Sequence, residues 1–314
     1  MSVVEKIKSS KTTAFSFELL PPLKGNGIDG VYRTIDALLE FDPKYINITT
    51  HRSEMVFKET ANGLFERVAE RHRPGTVAIA AAIQNKYKVP VVPHIICSGF
   101  TPEETEYALI DLQFLGITDL LLLRGDKAKH EKQFNPIGHR FATELQTQVN
   151  NFNSSLFLDG TKMKSLKPFS YGMACYPEKH DEAPNMDSDL NYAKQKVDAG
   201  AEYLVTQMFF DNNKYYEFVE KCRAIGIQVP IIPGLKPLTF LNQLTVLPKI
   251  FKSDIPEAFA IELRKCKNDA EAAAVGVEWC TEQAKDLIKN DVKSIHFYSM
   301  MATQSVKKVA QAVY

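Results

Sequence analysis

Eight short apolar runs recur along this chain, each followed by an amphipathic stretch, and that alternation constrains the fold more than any other feature. The runs are "AFSFELL", "YINITT", "VPVVPHIIC", "TDLLLLRG", "FSYGMACYP", "EYLVTQMFF", "VPIIPGL" and "SIHFYSM". They are nearly continuous rather than alternating polar and apolar, the pattern of parallel strands buried on both faces. Between them, "TPEETEYALIDLQFLG" opens with Thr101 as N-cap and Pro102 at the first helical position, and stops at Gly116. "DLNYAKQKVDAG" and "NNKYYEFVEKCRAIG" also stop at glycine, and "DAEAAAVGVEWCTEQAKDLIKN" reads as a long helix before the last run. "QTQVNNFNSSLFLDGTKMKSLKP" is polar and is expected to be a long loop or excursion. Eight βα units in 314 residues predict an α/β protein, a (β/α)8 TIM barrel forming one domain over residues 1–314. A doubly wound open sheet is the competitor; the count of eight and a short final helix, "TQSVKKVAQAV", favour closure.

Composition narrows the partners. Lysine and arginine number 38, as do aspartate and glutamate, so no basic excess points to nucleic acid or an anionic membrane. The first residues, "MSVVEKIKSSKTTAF", lack the apolar core of a signal peptide, and no run is long enough to span a bilayer. Cys97, Cys175, Cys222, Cys266 and Cys280 are scattered and never form CxxC, which fits reduced thiols in a cytoplasm.

In a (β/α)8 barrel the active site lies at the C-terminal ends of the strands. There the runs deliver Glu18, then Thr49-Thr50-His51, His94, Arg124-Gly125-Asp126, Tyr176 with Glu178 and His180, Gln207, and Tyr298. Packing does not require such groups, because buried polar atoms are costly without partners, so the set favours a ligand site. Glu18 has two readings: a carboxylate paired with a neighbour such as Arg124, or a general acid whose pKa is raised by Phe17, Leu19 and Leu20 around it. Arg124 offers a fork of donors, Gly125 a close backbone approach and Asp126 an acceptor for a heterocycle. His94-x-x-Cys97 and Cys175-x4-His180 do not match structural zinc spacing, so no metal is expected. On residue chemistry alone Lys196 belongs to a solvated helix face.

Gly25, Gly27 and Gly30 in "GNGIDG" match the dinucleotide fingerprint G-x-G-x-x-G. That motif needs its first glycine directly off a strand and an acid ending the next strand. Here Pro21-Pro22-Leu23-Lys24 intervenes and the next run ends in Thr49-Thr50. The glycines therefore read as a mobile loop before the first barrel helix.

"SFELLPP", "PHIIC", "LLLRGD", "YPEKH", "KVDAGAEYLVTQMFFD" and "IIPGLKP" occur in this order. In that order and register the chain resembles the flavin-dependent methylenetetrahydrofolate reductases of bacteria and the catalytic domain of the eukaryotic ones. The resemblance runs from about Thr13 to Tyr298. It implies a cytoplasmic enzyme of one-carbon metabolism, serving methionine biosynthesis, with FAD as cofactor. NAD(P)H and 5,10-methylenetetrahydrofolate would be small-molecule substrates in ping-pong order; a homo-oligomer is compatible with the sequence. Glu18 matches the general acid that protonates N10, and Asp126 a catalytic aspartate near flavin and pterin. Thr49, His94, Arg124, Gly125, Asp126, Phe141, Ala142, Tyr176, His180, Asp189 and Lys196 match FAD-binding positions. Gln207, with Glu18 and Asp126, matches substrate-binding positions. The resemblance thus moves Lys196 from a solvated face to a phosphate or ribose contact. The chain departs at Leu241, where several members carry phenylalanine, at Ala302, where some carry a folate-tail arginine, and at Thr50-His51-Arg52. The alternatives are a non-redox pterin-binding barrel such as a methyltransferase, and the same reductase fed by ferredoxin.

Overall fold

A computed structural model describes residues 1–127, 137–162, 167–300 and 302–314. The strands are β1 (Ala14–Leu19), β2 (Tyr45–Ile48), β3 (Glu54–Glu59), β4 (Phe65–Glu70), β5 (Val91–Ile96), β6 (Asp119–Leu123), β7 (Ser170–Cys175), β8 (Tyr203–Thr206), β9 (Ile231–Ile232), β10 (Gly234–Leu235) and β11 (Ser294–Tyr298). The helices are α1 (Val3–Ser9), α2 (Asp29–Leu38), α3 (Thr76–Tyr87), α4 (Pro102–Phe114), α5 (Ala142–Asn153), α6 (Met186–Asp198), α7 (Asn212–Ala224), α8 (Gln243–Phe251), α9 (Glu257–Lys265), α10 (Asp269–Lys289) and α11 (Thr303–Val313). The main sheet has the order β10-β11-β1-β2-β5-β6-β7-β8-β9. Its two ends, β9 and β10, are halves of one run, "IIPGL", split at Pro233, which has no N–H to give to a ladder. β9 pairs with β8 and β10 with β11, so this single run closes the sheet. Counting it once leaves eight strands, one for each apolar run, in the (β/α)8 barrel fold.

The chain divides into two compact units: Met1–Leu20, Arg33–Asn47 and Ser170–Tyr314 form the first, and Pro21–Tyr32 and Ile48–Phe169 the second. In the first unit β1 is buried at all six positions. Alternate residues face opposite ways. Phe15 and Phe17 share one face, where Phe15 meets the rings of Phe17, Phe41, Phe297 and Tyr314 at centroid distances of 5.3–5.8 Å. Ser16 and Glu18 take the other. Ser16 Oγ lies 3.0 Å from His296 Nδ1, and Tyr45 stacks on the His296 ring at 6.2 Å. The inner face is therefore polar while the outer face is aromatic. Burial pushes His296 down to about 3, so the ring is neutral at ordinary pH.

In the second unit β5 and β6 run parallel, with His94 opposite Leu121. Helix α4 begins as its sequence dictates: Thr101 Oγ1 accepts from Glu104 N at 3.2 Å and Glu104 Oε2 from Thr101 N at 2.9 Å. Gly116, with φ +70°, ends that helical segment. The antiparallel hairpin β3–β4 was not foreseen from the sequence. It holds the start of the proline-glycine stretch, since Lys24 N donates to His72 O at 2.7 Å and Lys24 pairs with Glu70. Gly25 lies in the loop and Gly30 already belongs to α2, so the three glycines do not act as one strand-to-helix turn. The stretch expected to be irregular is corrected at its start: Gln146 to Asn153 are helical in α5, because Leu145, Val149 and Phe152 recur at helical spacing and are buried. Its residues 163–166 lie outside the described part.

Helix α10 approaches the segment after β10 so closely that a Cβ on Gly276 would stand 2.0 Å from Leu238 O. Gly276→Ala is expected to destabilise the chain by about 1–3 kcal/mol, because the backbone of a buried residue must move. Urea unfolding of the two proteins checks it; equal midpoints would contradict this packing.

Candidate active site

In the first unit, parallel registers put Glu18 of β1 opposite Tyr298 of β11, and Gly234 and Leu235 of β10 opposite His296 and Phe297. The next residue after β10 is Lys236, 4% exposed. Glu18, Tyr298 and Lys236 thus share a level across three neighbouring strands. Burial is the main cause that lifts the Glu18 carboxyl to about 7, and the Lys236 charge pulls it back down. The pull is reciprocal: burial lowers the Lys236 ammonium and Glu18 raises it. Tyr298 donates its hydroxyl to Thr206 O at 2.6 Å. Ser299 Oγ donates to the Glu18 backbone carbonyl, which fixes the strand where the carboxyl leaves it.

The same unit holds the strand ends after β7 and β8. Tyr176 and His180 meet edge to face at 4.6 Å. Asp189, buried at the start of α6, accepts from His180 N at 2.8 Å, so its carboxylate shapes the "YPEKH" turn. Lys196 Nζ donates to Ala174 O at 2.8 Å. The solvated-face reading of Lys196 is thereby corrected: α6 aims this side chain at the end of β7. Gln207 N donates to Cys175 O at 2.8 Å, and its Oε1 accepts from Met208 N at 2.9 Å. Tyr176 and Gln207 line one small pocket with Glu178, Phe251 and Ser253. Glu178, half-buried, is lifted to about 7, chiefly by burial. Leu241 packs against the cluster of Met208, Phe210 and Leu238, and its N–H donates to Asp269 Oδ1 at 2.9 Å. Ala302 is buried at the N-terminus of α11.

In the second unit Ser98 organises the Arg124-Gly125-Asp126 turn. Its N–H donates to Arg124 O at 2.9 Å and its hydroxyl to Asp126 O at 2.6 Å, while Arg52 Nη1 donates to Ser98 Oγ at 2.8 Å. Gly125 has φ +78°, and a Cβ there would press on Ser98 Cβ at 3.0 Å. The Asp126 side chain is exposed and lies near His51, whose pKa is lowered by burial and by Arg73, against the pull of Asp126. Thr49 Oγ1 lies 3.2 Å from His51 Nε2, and Thr50 Oγ1 donates to His94 O. His94 is buried in β5. Phe141, exposed ahead of α5, accepts from Cys97 Sγ at 3.5 Å through its carbonyl, and Ala142 opens the helix.

Lys236, Ser98 and Arg52 were missed in the sequence. The strand-end rule would have found Lys236 had the seventh run been followed one residue past Leu235. Among the described residues, no cluster of His, Cys, Asp or Glu is arranged to hold a metal ion, and no helix is long and apolar enough to cross a membrane.

The raised carboxyl has a consequence for stability. Unfolded, Glu18 releases its proton near 4.5; folded, near 7. The folded chain therefore holds the extra proton between those values, and stability falls as pH rises through them. Glu18→Gln removes that loss. Relative to the parent chain, this variant is expected to gain about 3 kcal/mol on going from pH 4.5 to pH 8. Urea unfolding across that range measures it, and a difference independent of pH would contradict the buried-acid geometry.

The family model for methylenetetrahydrofolate reductase matches residues 3–313. Methylenetetrahydrofolate reductase (NADH) 1 of Arabidopsis thaliana is 31% identical over 318 residues, covering 97% of this chain and 49% of the relative. A probable methylenetetrahydrofolate reductase (NADPH) of Caenorhabditis elegans is 29% identical, covering 99% of this chain and 43% of the relative. The 5,10-methylenetetrahydrofolate reductase of Escherichia coli (strain K12) is 29% identical over 286 residues, covering 91% of this chain and 85% of that one. The chain thus spans about half the length of the plant and nematode relatives. Among solved structures, a Clostridium thermocellum protein described as binding two copies of 5-methyl-5,6,7,8-tetrahydrofolic acid aligns with TM-score 0.57 and 14% identity, over 98% of this chain and 97% of that one. That likeness concerns the fold alone. With the family model matched almost from end to end, the chain belongs to the methylenetetrahydrofolate reductase family.

Proposed function

We propose that this chain is one FAD-binding catalytic barrel that reduces 5,10-methylenetetrahydrofolate to 5-methyltetrahydrofolate, with NAD(P)H and the folate taking turns. The match to the family model over residues 3–313 carries this reading. NAD(P)H is the proposed donor: the similar plant and nematode proteins are named for NADH and NADPH respectively.

The residues assigned to FAD suit its chemistry. Lys196 is turned toward the β7 strand end, where an ammonium can meet a phosphate. Tyr176 and His180 give a fixed aromatic edge, and Asp189 acts on it through the His180 backbone. Arg124 supplies a guanidinium, and Gly125 a backbone that can approach a ligand closely, with Thr49, His94, Phe141 and Ala142 as further contacts. When bound, FAD supplies the two-electron relay between nucleotide and folate; the protein supplies placement and electrostatics.

Glu18 is the acid. Its carboxyl, poised near 7, gives its proton to the folate N10. The bond from N10 to the methylene carbon breaks with its electron pair left on N10, and the carbon becomes an iminium at N5 that is reduced to methyl. Glu18 is left as a carboxylate. Asp126 hydrogen-bonds the pterin, and Gln207 holds folate and nucleotide in turn. Ala302, a methyl group, contributes no charge to the folate tail.

The test is spectroscopic. The purified protein should be yellow, lose that absorbance when NADH or NADPH is added without oxygen, and regain it on addition of methylenetetrahydrofolate. Glu18→Gln should still be bleached by the donor but recover with folate about 10²–10⁴-fold more slowly, the scale of a lost general acid. A colourless protein that gains no activity with added FAD would overturn the flavin reading. Normal turnover by Glu18→Gln would overturn the acid.

A further inference from the structure

Lys236 is a cation in the protein interior that the proposed mechanism leaves without a role. It is 4% exposed and follows β10 directly. β10 and β11 run parallel, Gly234 opposite His296 and Leu235 opposite Phe297, so Lys236 comes level with Tyr298. Tyr298 is in turn the register partner of Glu18. Strand alternation sends Leu235 and Phe297, both fully buried, to the outer face, and Glu18, Tyr298 and Lys236 to the inner one. Gly234 is small where the Tyr298 ring crosses it: a Cβ there would stand 2.4 Å from Tyr298 Cε2. Tyr298 keeps its hydroxyl proton and donates it in a hydrogen bond to Thr206 O. Charge in this row therefore lies with one carboxyl and one amine.

An isolated buried ammonium is expensive, and an amine kept only for packing is readily replaced by an apolar side chain. A cation beside an acid changes what the acid can do. It favours the carboxylate, and so strengthens an acid that burial has weakened. We infer that Lys236 is a positioning residue for the reaction, its ammonium holding the counter-charge that steadies the Glu18 carboxylate left when the proton passes to folate N10. This deepens the proposed reduction and rests on that reading for its catalytic meaning. Bond-making is balanced within that step: the proton leaves Glu18 for N10, the carbon–N10 bond breaks, and Lys236 gains and loses nothing.

Titratable groups that act on the pair come from several elements. Glu18 faces Lys236 and Tyr298; Lys236 faces Glu18 and Cys280 of α10; Tyr298 faces Glu18, Cys175, Tyr176 and Tyr45. Burial lifts the thiol of Cys280 to about 12 and drives Tyr298 well above the tyrosine range. Both stay neutral between pH 5 and 9, so over that range the readout belongs to Glu18 and Lys236.

A mutant cycle tests this without cofactor or substrate. The stability difference between a chain and its Glu18→Gln variant, measured by urea unfolding against pH, reports the pH at which folded Glu18 ionises. In the Lys236→Met background that pH should rise by about one unit or more, the usual effect of losing a near opposite charge. Lys236→Arg should leave it at the parental value. A purely structural lysine would lower stability at every pH and leave the ionisation where it was, and that result overturns the inference. Lys236→Gln removes the charge in a second way if the methionine variant does not fold. With FAD, the folate step of Lys236→Met should slow about tenfold at pH 7 with its alkaline limb moved upward, while the donor step stays within about twofold. An unmoved alkaline limb overturns the inference while leaving the reduction in place. A parent chain that cannot reduce the folate overturns the reading of function, and the catalytic role of Lys236 with it.

Discussion

One carboxyl inside a closed sheet governs this structure. Glu18 is 7% exposed on the inner face of β1, where ionisation is penalised and a proton is retained near neutral pH. A bare buried charge would be intolerable, so the surroundings must either neutralise or answer it. The chain does both: burial keeps the carboxyl protonated, and Lys236, two strands away across β11, moderates the cost of losing the proton. The same low-dielectric surroundings that make the group expensive make it useful as an acid.

The rest of the first unit holds that carboxyl in place. Rings fill the outer face of β1, where Phe15 and Phe17 meet Phe41, Phe297 and Tyr314, so the strand cannot rotate its polar face outward without exposing them. On the inner face the Ser16–His296 contact and the stacked Tyr45 fill the level below Glu18. The close pass of α10 at Gly276 sets the position of the segment that follows Lys236. In the second unit a single serine, Ser98, ties together the turn that presents Asp126. Aromatic packing outside, hydrogen bonds inside and glycine at the closest approaches are thus parts of one arrangement.

Much of this was legible in the sequence. Every apolar run became a strand because strands buried on both faces leave no room for alternation, and Thr101-Pro102 and Gly116 marked a helix by their own chemistry. Glu18 stood out as an acid at the C-terminal end of an apolar run. What stayed hidden was hidden for physical reasons. Hairpin β3–β4 is largely exposed, with Phe57 and Phe65 on its surface, so no apolar periodicity announced it. The polar residues of α5 concealed a helix whose buried stripe is only Leu145, Val149 and Phe152 plus two glutamines. Lys196 and Lys236 look like surface lysines in a linear reading; only the strand ends beside them show that each turns inward. The G-x-G-x-x-G pattern misled in the opposite direction, since spacing alone does not say where a strand stops.

The most direct test of the account is the infrared carboxyl signal of Glu18, identified as the band lost in Glu18→Gln. A protonated carboxyl at pH 6 that ionises near 7 is the predicted result, because burial is the largest influence on the group. A carboxylate already ionised at pH 5.5 would contradict it, and with it the claim that the barrel interior keeps this acid ready to give up its proton.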